Sequence, residues 1–247
     1  MSVTKVGNVM NSRCNKTHLD IEKADERGII HRDYLAHSLR WTHVLKYARR
    51  GCNILDVGCA NGMLAQVLYV NKLNPNYIGL DIRENMLKVA DARKLNREQE
   101  FYQMDLTKTP FPVERGWANV TVCFEVVEHI MEESLDFLLQ QIEAATSKTG
   151  IILLSTPNYD GVHEAANHIK EYREHELQEY LEKYFEIKAK FGTFASQSDI
   201  VKALSVEERT VYYGLKNYYD SNVLSLFFAP LHPSESRNIL WVLKRRS

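Results

Sequence analysis

The chain has 247 residues, 45% of them hydrophobic and 26% charged, with 31 basic against 32 acidic side chains and a formal charge of −1. This is the mixture of an ordinary globular protein, long enough for a core without staples, and it excludes a globally basic nucleic-acid coat and an acidic solvating tail. No apolar run approaches the roughly 18–20 residues of a membrane span, the start has no signal-peptide apolar region, and Cys14, Cys52, Cys59 and Cys123 form no Cys-x-x-Cys pair, so a reducing, cytoplasmic setting is expected.

Residues 1–20 are polar and aperiodic and read as a loose arm. From about Asp25 to Arg50 the spacing of Ile30, Tyr34, Leu35, Trp41, Val44, Leu45 and Ala48 predicts a helix, with Gly51 as its stop. Arg32, Arg40, Lys46, Arg49 and Arg50 take its other positions against Asp33. The chain then alternates. Strands are predicted at Asn53–Val57, Tyr77–Leu80, Phe101–Met104, Ala118–Phe124 and Gly150–Ser155, and helices at Met63–Tyr69, Arg83–Leu95 and Ser134–Ala145. A helix at Glu174–Tyr184 and strands at Phe185–Phe194 and Asn238–Lys244 follow. Strands alternating with helices imply crossover units and a doubly wound, mainly parallel α/β sheet, here of seven strands. The aromatic stretch at about 195–236 reads as an ordered insertion before the last strand. The expected organisation is an arm and lid helix over 1–50, then one domain over 51–247.

The segment that carries chemistry is Leu55-Asp56-Val57-Gly58-Cys59-Ala60-Asn61-Gly62. A buried strand runs into a small-residue turn that opens a helix, whose unpaired N–H groups and positive dipole end suit a ligand. Gly58 and Gly62 allow tight turning and close backbone approach. Asp81 ends the second strand, where an acid can accept both hydroxyls of a ribose. Asp105 ends the third, where its carboxylate or the neighbouring backbone can meet an adenine edge. The ligand expected is an adenine nucleoside. A pyrophosphate turn would have Gly at 60 and 63, which are Ala60 and Met63 here, and no Gly-Lys-Ser/Thr occurs.

LDVGCANG, GLDI, MDL and FEVVEH, in this order and spacing, resemble the class I S-adenosylmethionine-dependent methyltransferases over roughly Cys52 to Phe194. Within these the chain is similar to the subgroup containing the ubiquinone-biosynthesis O-methyltransferases. They share a Glu-x-x-Glu-His-type segment, a Ser-Thr-Pro-Asn end to the fifth strand and a stretch like His168-Ile-Lys-Glu-Tyr-Arg-Glu-His-Glu-Leu. The departure is Ala60, where members often have Gly. The resemblance implies a Rossmann-like methyltransferase fold with an N-terminal helical lid and S-adenosyl-L-methionine as cofactor. It implies that Asp56, Gly58 and Gly62, with Cys59 in the same turn, surround the methionine part. Asp81 would hold the ribose, Ile82 would pack on the adenine, and Asp105 and Leu106 would flank its other side. Phe124 and Glu125 would line the wall near the methionine moiety, and Tyr34 or Arg40 of the lid would meet its carboxylate.

The sulfonium makes the methyl carbon electrophilic, so the protein must hold a nucleophile in line with it, and a hydroxyl acceptor needs a base. His129, just after the fourth strand, is the candidate general base, with helix capping or substrate orientation as its other reading. His163 and His168, after the fifth strand, are candidate substrate contacts. FEVVEH stands where amino-methylating DNA enzymes carry Asp/Asn-Pro-Pro-Tyr/Phe, and Cys123 inside VTVCFE reads as a packed thiol. Glu125, Glu128, His129 and His168 also resemble the metal-ligand set of the small-RNA 3′-terminal 2′-O-methyltransferases, which would hold Mg²⁺ or Mn²⁺ against a ribose diol. The expected acceptor is a hydroxyl on a small molecule, a sugar or a nucleotide. Two alternatives stand beside it: nucleic acid held by the basic N-terminal helix with Lys244, Arg245 and Arg246, and a silent cofactor-binding partner subunit.

Overall fold

The computed structural model describes residues 32–162 and 164–246. The polar arm, the predicted helix start before Arg32 and the candidate contact His163 lie outside these residues. The described elements run α1 (Arg32–Tyr47), β1 (Asn53–Val57), α2 (Met63–Val70), β2 (Asn76–Asp81), α3 (Glu84–Ala92), β3 (Gln99–Gln103) and β4 (Ala118–Phe124). After a 3-10 turn at Val127–His129 come α4 (Glu132–Ala145), β5 (Thr146–Pro157), α5 (Glu174–Tyr184), β6 (Phe185–Phe194), α6 (Gln197–Ala203), α7 (Val206–Leu215), α8 (Ser221–Phe228) and β7 (Asn238–Arg245).

The strands form one sheet in the order β3-β2-β1-β4-β5-β7-β6, parallel except for β7, which runs antiparallel to both of its neighbours. Strand alternation divides the core into two layers. Leu55, Val57, Leu154, Trp241 and Leu243 face α4 and α5 through Leu135, Leu138, Leu139, Ile142, Leu177 and Leu181. Ile54, Val120, Val122, Leu153, Leu240 and Val242 face α1 and α2 through Val44, Ala48, Leu64, Ala65 and Leu68. Burial on both faces is why these strands read as continuous apolar runs.

Chain order reverses between β1 and β4. In an open α/β sheet, the crevice beyond the carboxyl ends of such a pair is where ligands bind. Two features crowd that edge. The antiparallel β7 starts there, with Asn238 opposite Pro157. The insertion leaves β6 there, and its helices bury Ile200, Leu204, Tyr212, Leu224 and Phe228 in a small core of their own. Helix α8 packs against α1, so lid and insertion meet.

Candidate active site

The turn after β1 has three residues with left-handed backbone: Gly58 (φ 82°), Ala60 (φ 47°) and Gly62 (φ 72°). A Cβ at Gly58 would collide with the Val126 side chain. One at Gly62 would meet Ala90 Cβ at 2.9 Å. Ala60 is the position where the resembling family often has Gly. The structure shows why Gly is favoured there, since a Cβ in this conformation costs about 1–2 kcal/mol. Two of the turn's N–H groups, from Gly58 and Cys59, donate to the Leu80 carbonyl at 2.7 and 2.9 Å. Helix α2 starts without a side-chain cap, leaving its first amides toward the crevice.

Asp81 reaches across to this turn. Its Oδ2 accepts the Ala60 N–H at 2.9 Å and its Oδ1 the Arg83 N–H at 2.9 Å. The Arg83 guanidinium adds Nε–Oδ1 at 3.0 Å and Nη2–Oδ2 at 3.1 Å. Burial pushes the Asp81 carboxyl up, but Arg83 and the Ala60 amide outweigh it and hold it below the usual carboxylate range. Ile82 beside it is exposed. Asp56 sits behind the turn, fully inside the core, and accepts the Tyr77 hydroxyl. Burial raises its pKa to about 7, with the Tyr77 hydrogen bond opposing and the charge of Asp81 adding to the rise. Burial likewise pushes the Cys59 thiol far up.

At β3 the Asp105 carboxylate caps its own turn, accepting the Thr107 N–H at 2.9 Å and the Thr107 hydroxyl at 2.6 Å. Leu106 is a core residue beside Leu80 and Met104.

The end of β4 departs most from expectation. Glu125 has φ 55°, a strained conformation for a residue other than Gly. Its Oε1 accepts Arg40 Nη1 at 2.7 Å and the Ser155 hydroxyl at 2.8 Å. Its Oε2 accepts Asn238 Nδ2 at 2.7 Å. Arg40 was read both among the basic positions of the helix and as a lid contact for the cofactor carboxylate. It lies in the buried stripe Ala36, Arg40, Val44, Ala48 at helical i, i+4 spacing, 2% exposed. Its Nη2 meets His37 Nδ1 at 3.2 Å and its Nε has no partner among the described residues. Burial and the adjacent Arg40 charge lower the His37 pKa to about 3. The basic platform is thinned further by Arg245, which pairs with Glu143 and donates to the Thr146 carbonyl. Phe124 lies under the Arg40 guanidinium, 5.9 Å from ring centre to Cζ, and Tyr34 exposes its ring.

Three groups converge next to this network. Ligand atoms of Glu128, His129 and His168 all lie within 4.8 Å of one another, the one such group among the described residues. Glu125, placed with them in the sequence reading, is not part of the cluster because Arg40, Ser155 and Asn238 hold its carboxylate. Glu128 is 1% exposed and accepts the Thr156 hydroxyl at 2.9 Å. Burial, with the nearby Glu125 carboxylate adding to it, pushes its pKa well above the ordinary value. His129 Nδ1 lies 3.1 Å from the Asn167 carbonyl and His168 Nδ1 lies 2.6 Å from Glu171 Oε1. Each acceptor takes a hydrogen bond from Nδ1 and so directs Nε2 away from that bond. Burial and the neighbouring His168 lower the His129 pKa. The rings meet edge to face at 4.9 Å.

The sequence reading missed Arg83, Ser155, Thr156, Glu171 and Asn238. Ser155 and Thr156 were visible in the Ser-Thr-Pro-Asn segment, whereas nothing local marks Asn238. Cys123 is a fully buried thiol whose pKa burial drives far up, which fits a packed side chain.

A methyltransferase-domain family model matches residues 30–204. This chain therefore belongs to that family, as an S-adenosyl-L-methionine-dependent methyltransferase domain with S-adenosyl-L-methionine as its cofactor. Among curated proteins it is similar to the ubiquinone biosynthesis O-methyltransferase of Colwellia psychrerythraea, 29% identical over 106 residues covering 42% of each chain. It is also similar to that of Shewanella pealeana, 28% identical over 109 residues covering 44% of each. The matched stretch spans less than half the length of these relatives. Among solved structures, an S-adenosylmethionine-dependent methyltransferase from Archaeoglobus fulgidus superposes with TM-score 0.61 at 18% identity, over 91% of this chain and 98% of that one. At these identities the structural likeness shows the fold alone. No described helix is long and apolar enough to cross a membrane.

Proposed function

We propose that this protein transfers the methyl group of S-adenosylmethionine to a hydroxyl oxygen of a small molecule, with His129 taking the proton. The donor's adenosine lies over β2 and β3, its ribose on Asp81 and its adenine between Ile82 and the Asp105–Leu106 turn. Its methionine tail crosses Gly58 toward β4. There the partly exposed Glu125, held by Arg40, Ser155 and Asn238, offers the remaining edge of its carboxylate for an ammonium. Asp56 supports the turn from beneath through Tyr77.

One observation carries the choice of base. His129 is held by a backbone carbonyl on Nδ1, so its Nε2 is an acceptor at the edge where the methyl group is presented, and its lowered pKa keeps it neutral. A neutral imidazole there can accept a hydroxyl proton as the oxygen attacks. The acceleration comes mainly from alignment of oxygen, methyl carbon and sulfur. The test is release of S-adenosylhomocysteine with a panel of catechols, sugars and nucleosides. His129→Ala should abolish turnover and spare donor affinity by calorimetry, and full turnover in that variant would remove His129 as base.

A second reading rests on the cluster itself. Glu128, His129 and His168 supply one carboxylate oxygen and two imidazole nitrogens, a set suited to a divalent cation. The supports of Nδ1 by Asn167 and Glu171 and of Glu128 by Thr156 are the kind that orient metal ligands. These residues fit such an ion, which would polarise an acceptor hydroxyl and lower its pKa. Under this reading a chelator abolishes turnover and Mn²⁺ or Mg²⁺ restores it. Turnover indifferent to chelation leaves His129 as the base.

A further inference from the structure

The ribose-binding carboxylate is already in use. Asp81 has four acceptor positions on two oxygens, and four donors fill them: the amides of Ala60 and Arg83, and Arg83 Nε and Nη2. The amide bonds belong to the backbone of the turn and of the residues after β2. The guanidinium bonds do not. They form a fork with one N–H on each oxygen, the pattern in which a vicinal diol would donate its two hydroxyls to the same carboxylate. The Asp81 side chain is 4% exposed while that of Arg83 is 52% exposed, so the arginine is the partner free to leave.

We infer that Arg83 is an intramolecular competitor for the ribose site, its guanidinium occupying the diol positions of Asp81 when the nucleoside is absent and swinging into solvent when the nucleoside binds. This rests on the reading that Asp81 holds the ribose. Arg83 then sets the affinity for donor and product alike. Displacing it costs part of the binding free energy, and its return helps expel S-adenosylhomocysteine after transfer. The residue adds a determinant of nucleoside affinity that touches neither the methyl group nor the acceptor. It also explains why so well buried an acid carries an exposed arginine.

The experiment is calorimetric titration of S-adenosylhomocysteine into the wild type, Arg83→Met and Arg83→Lys. 2′,3′-Dideoxyadenosine is run against adenosine as a second pair of probes. Arg83→Met keeps the aliphatic stem and removes the fork at a half-exposed site, and the melting curve checks that the fold is kept. S-adenosylhomocysteine and adenosine should bind roughly 1.5- to fivefold tighter to Arg83→Met, the range expected for freeing an ion pair with one exposed partner. Arg83→Lys, with a single point charge in place of a fork, should fall between. Dideoxyadenosine, which has no diol to compete, should show no gain. Equal or weaker binding of the ribonucleosides to Arg83→Met overturns the inference, as does an equal gain for the dideoxy probe. Asp81→Asn separates the two levels. If it leaves S-adenosylhomocysteine binding intact, the ribose assignment itself has failed. If it abolishes binding while Arg83→Met changes nothing, only the competitor role is lost.

Discussion

Asp56→Asn offers a direct measure of how the core beneath the turn is charged. Asp56 is buried, 5% exposed, and accepts a hydrogen bond from Tyr77, and its pKa is raised to about 7. In the unfolded chain an aspartate titrates near 3.8. Between these values the folded state holds a proton that the unfolded state has released. The unfolded state therefore binds fewer protons, and stability falls as pH rises from about 4 to about 7, then levels off. A shift of about 3 units corresponds to about 4 kcal/mol across the window, of which about 2.5 kcal/mol falls between pH 5 and pH 8. Asparagine keeps an acceptor for Tyr77 and cannot ionise. Urea unfolding of both proteins at steps from pH 5 to pH 8 should show the variant gaining on the wild type by about 2.5 kcal/mol as pH rises. Parallel stability curves would refute the reasoning, because they would mean that Asp56 is ionised, or solvated, throughout.

Three further outcomes follow from the same geometry. Ala60→Gly relieves a left-handed backbone at a cost in unfolded-chain entropy, so it should stabilise the fold by about 0.5–1 kcal/mol in denaturant unfolding; destabilisation would show that the turn is not strained at that position. Glu125→Ala strands the buried Arg40 charge and should cost about 3 kcal/mol of stability, with Glu125→Gln retaining part of it through Ser155 and Asn238; a loss below about 0.5 kcal/mol would place the pair in solvent. Gly58→Ala, which meets Val126 and adopts a positive φ, should destroy S-adenosylhomocysteine binding in calorimetry, and unchanged affinity would remove this turn from the nucleoside site.

The sequence alone determined the sheet and the side of it that matters. Its central strands β1, β4, β5 and β7 contain apolar runs buried on both faces, a signal carried in neighbouring residues, and Asp56, Gly58, Gly62, Asp81 and Asp105 stand at strand ends where local order places them. It also held the pairing of Glu128 with His129, which are adjacent, and the candidacy of His168. Tertiary structure alone decided what those groups touch. Asn238 reaches Glu125 because β7 enters the sheet antiparallel and begins where β5 ends, an outcome of strand order that no local pattern encodes. The sequence offered Arg40 either as one of the helix's basic positions or as a contact for the cofactor carboxylate; only docking of α1 showed that position 40 shares the buried stripe of Ala36, Val44 and Ala48 and pairs with Glu125. Ala60 acquires its role from Asp81 through a bond formed only when β1 and β2 are brought side by side, whereas Arg83 lies two residues from Asp81 and its fork is a local contact that the sequence pattern did not flag. Hydrophobic periodicity is a property of consecutive residues and survives in the one-dimensional chain. Polar partnership across a sheet edge depends on which strands become neighbours, and it exists only once the chain has folded.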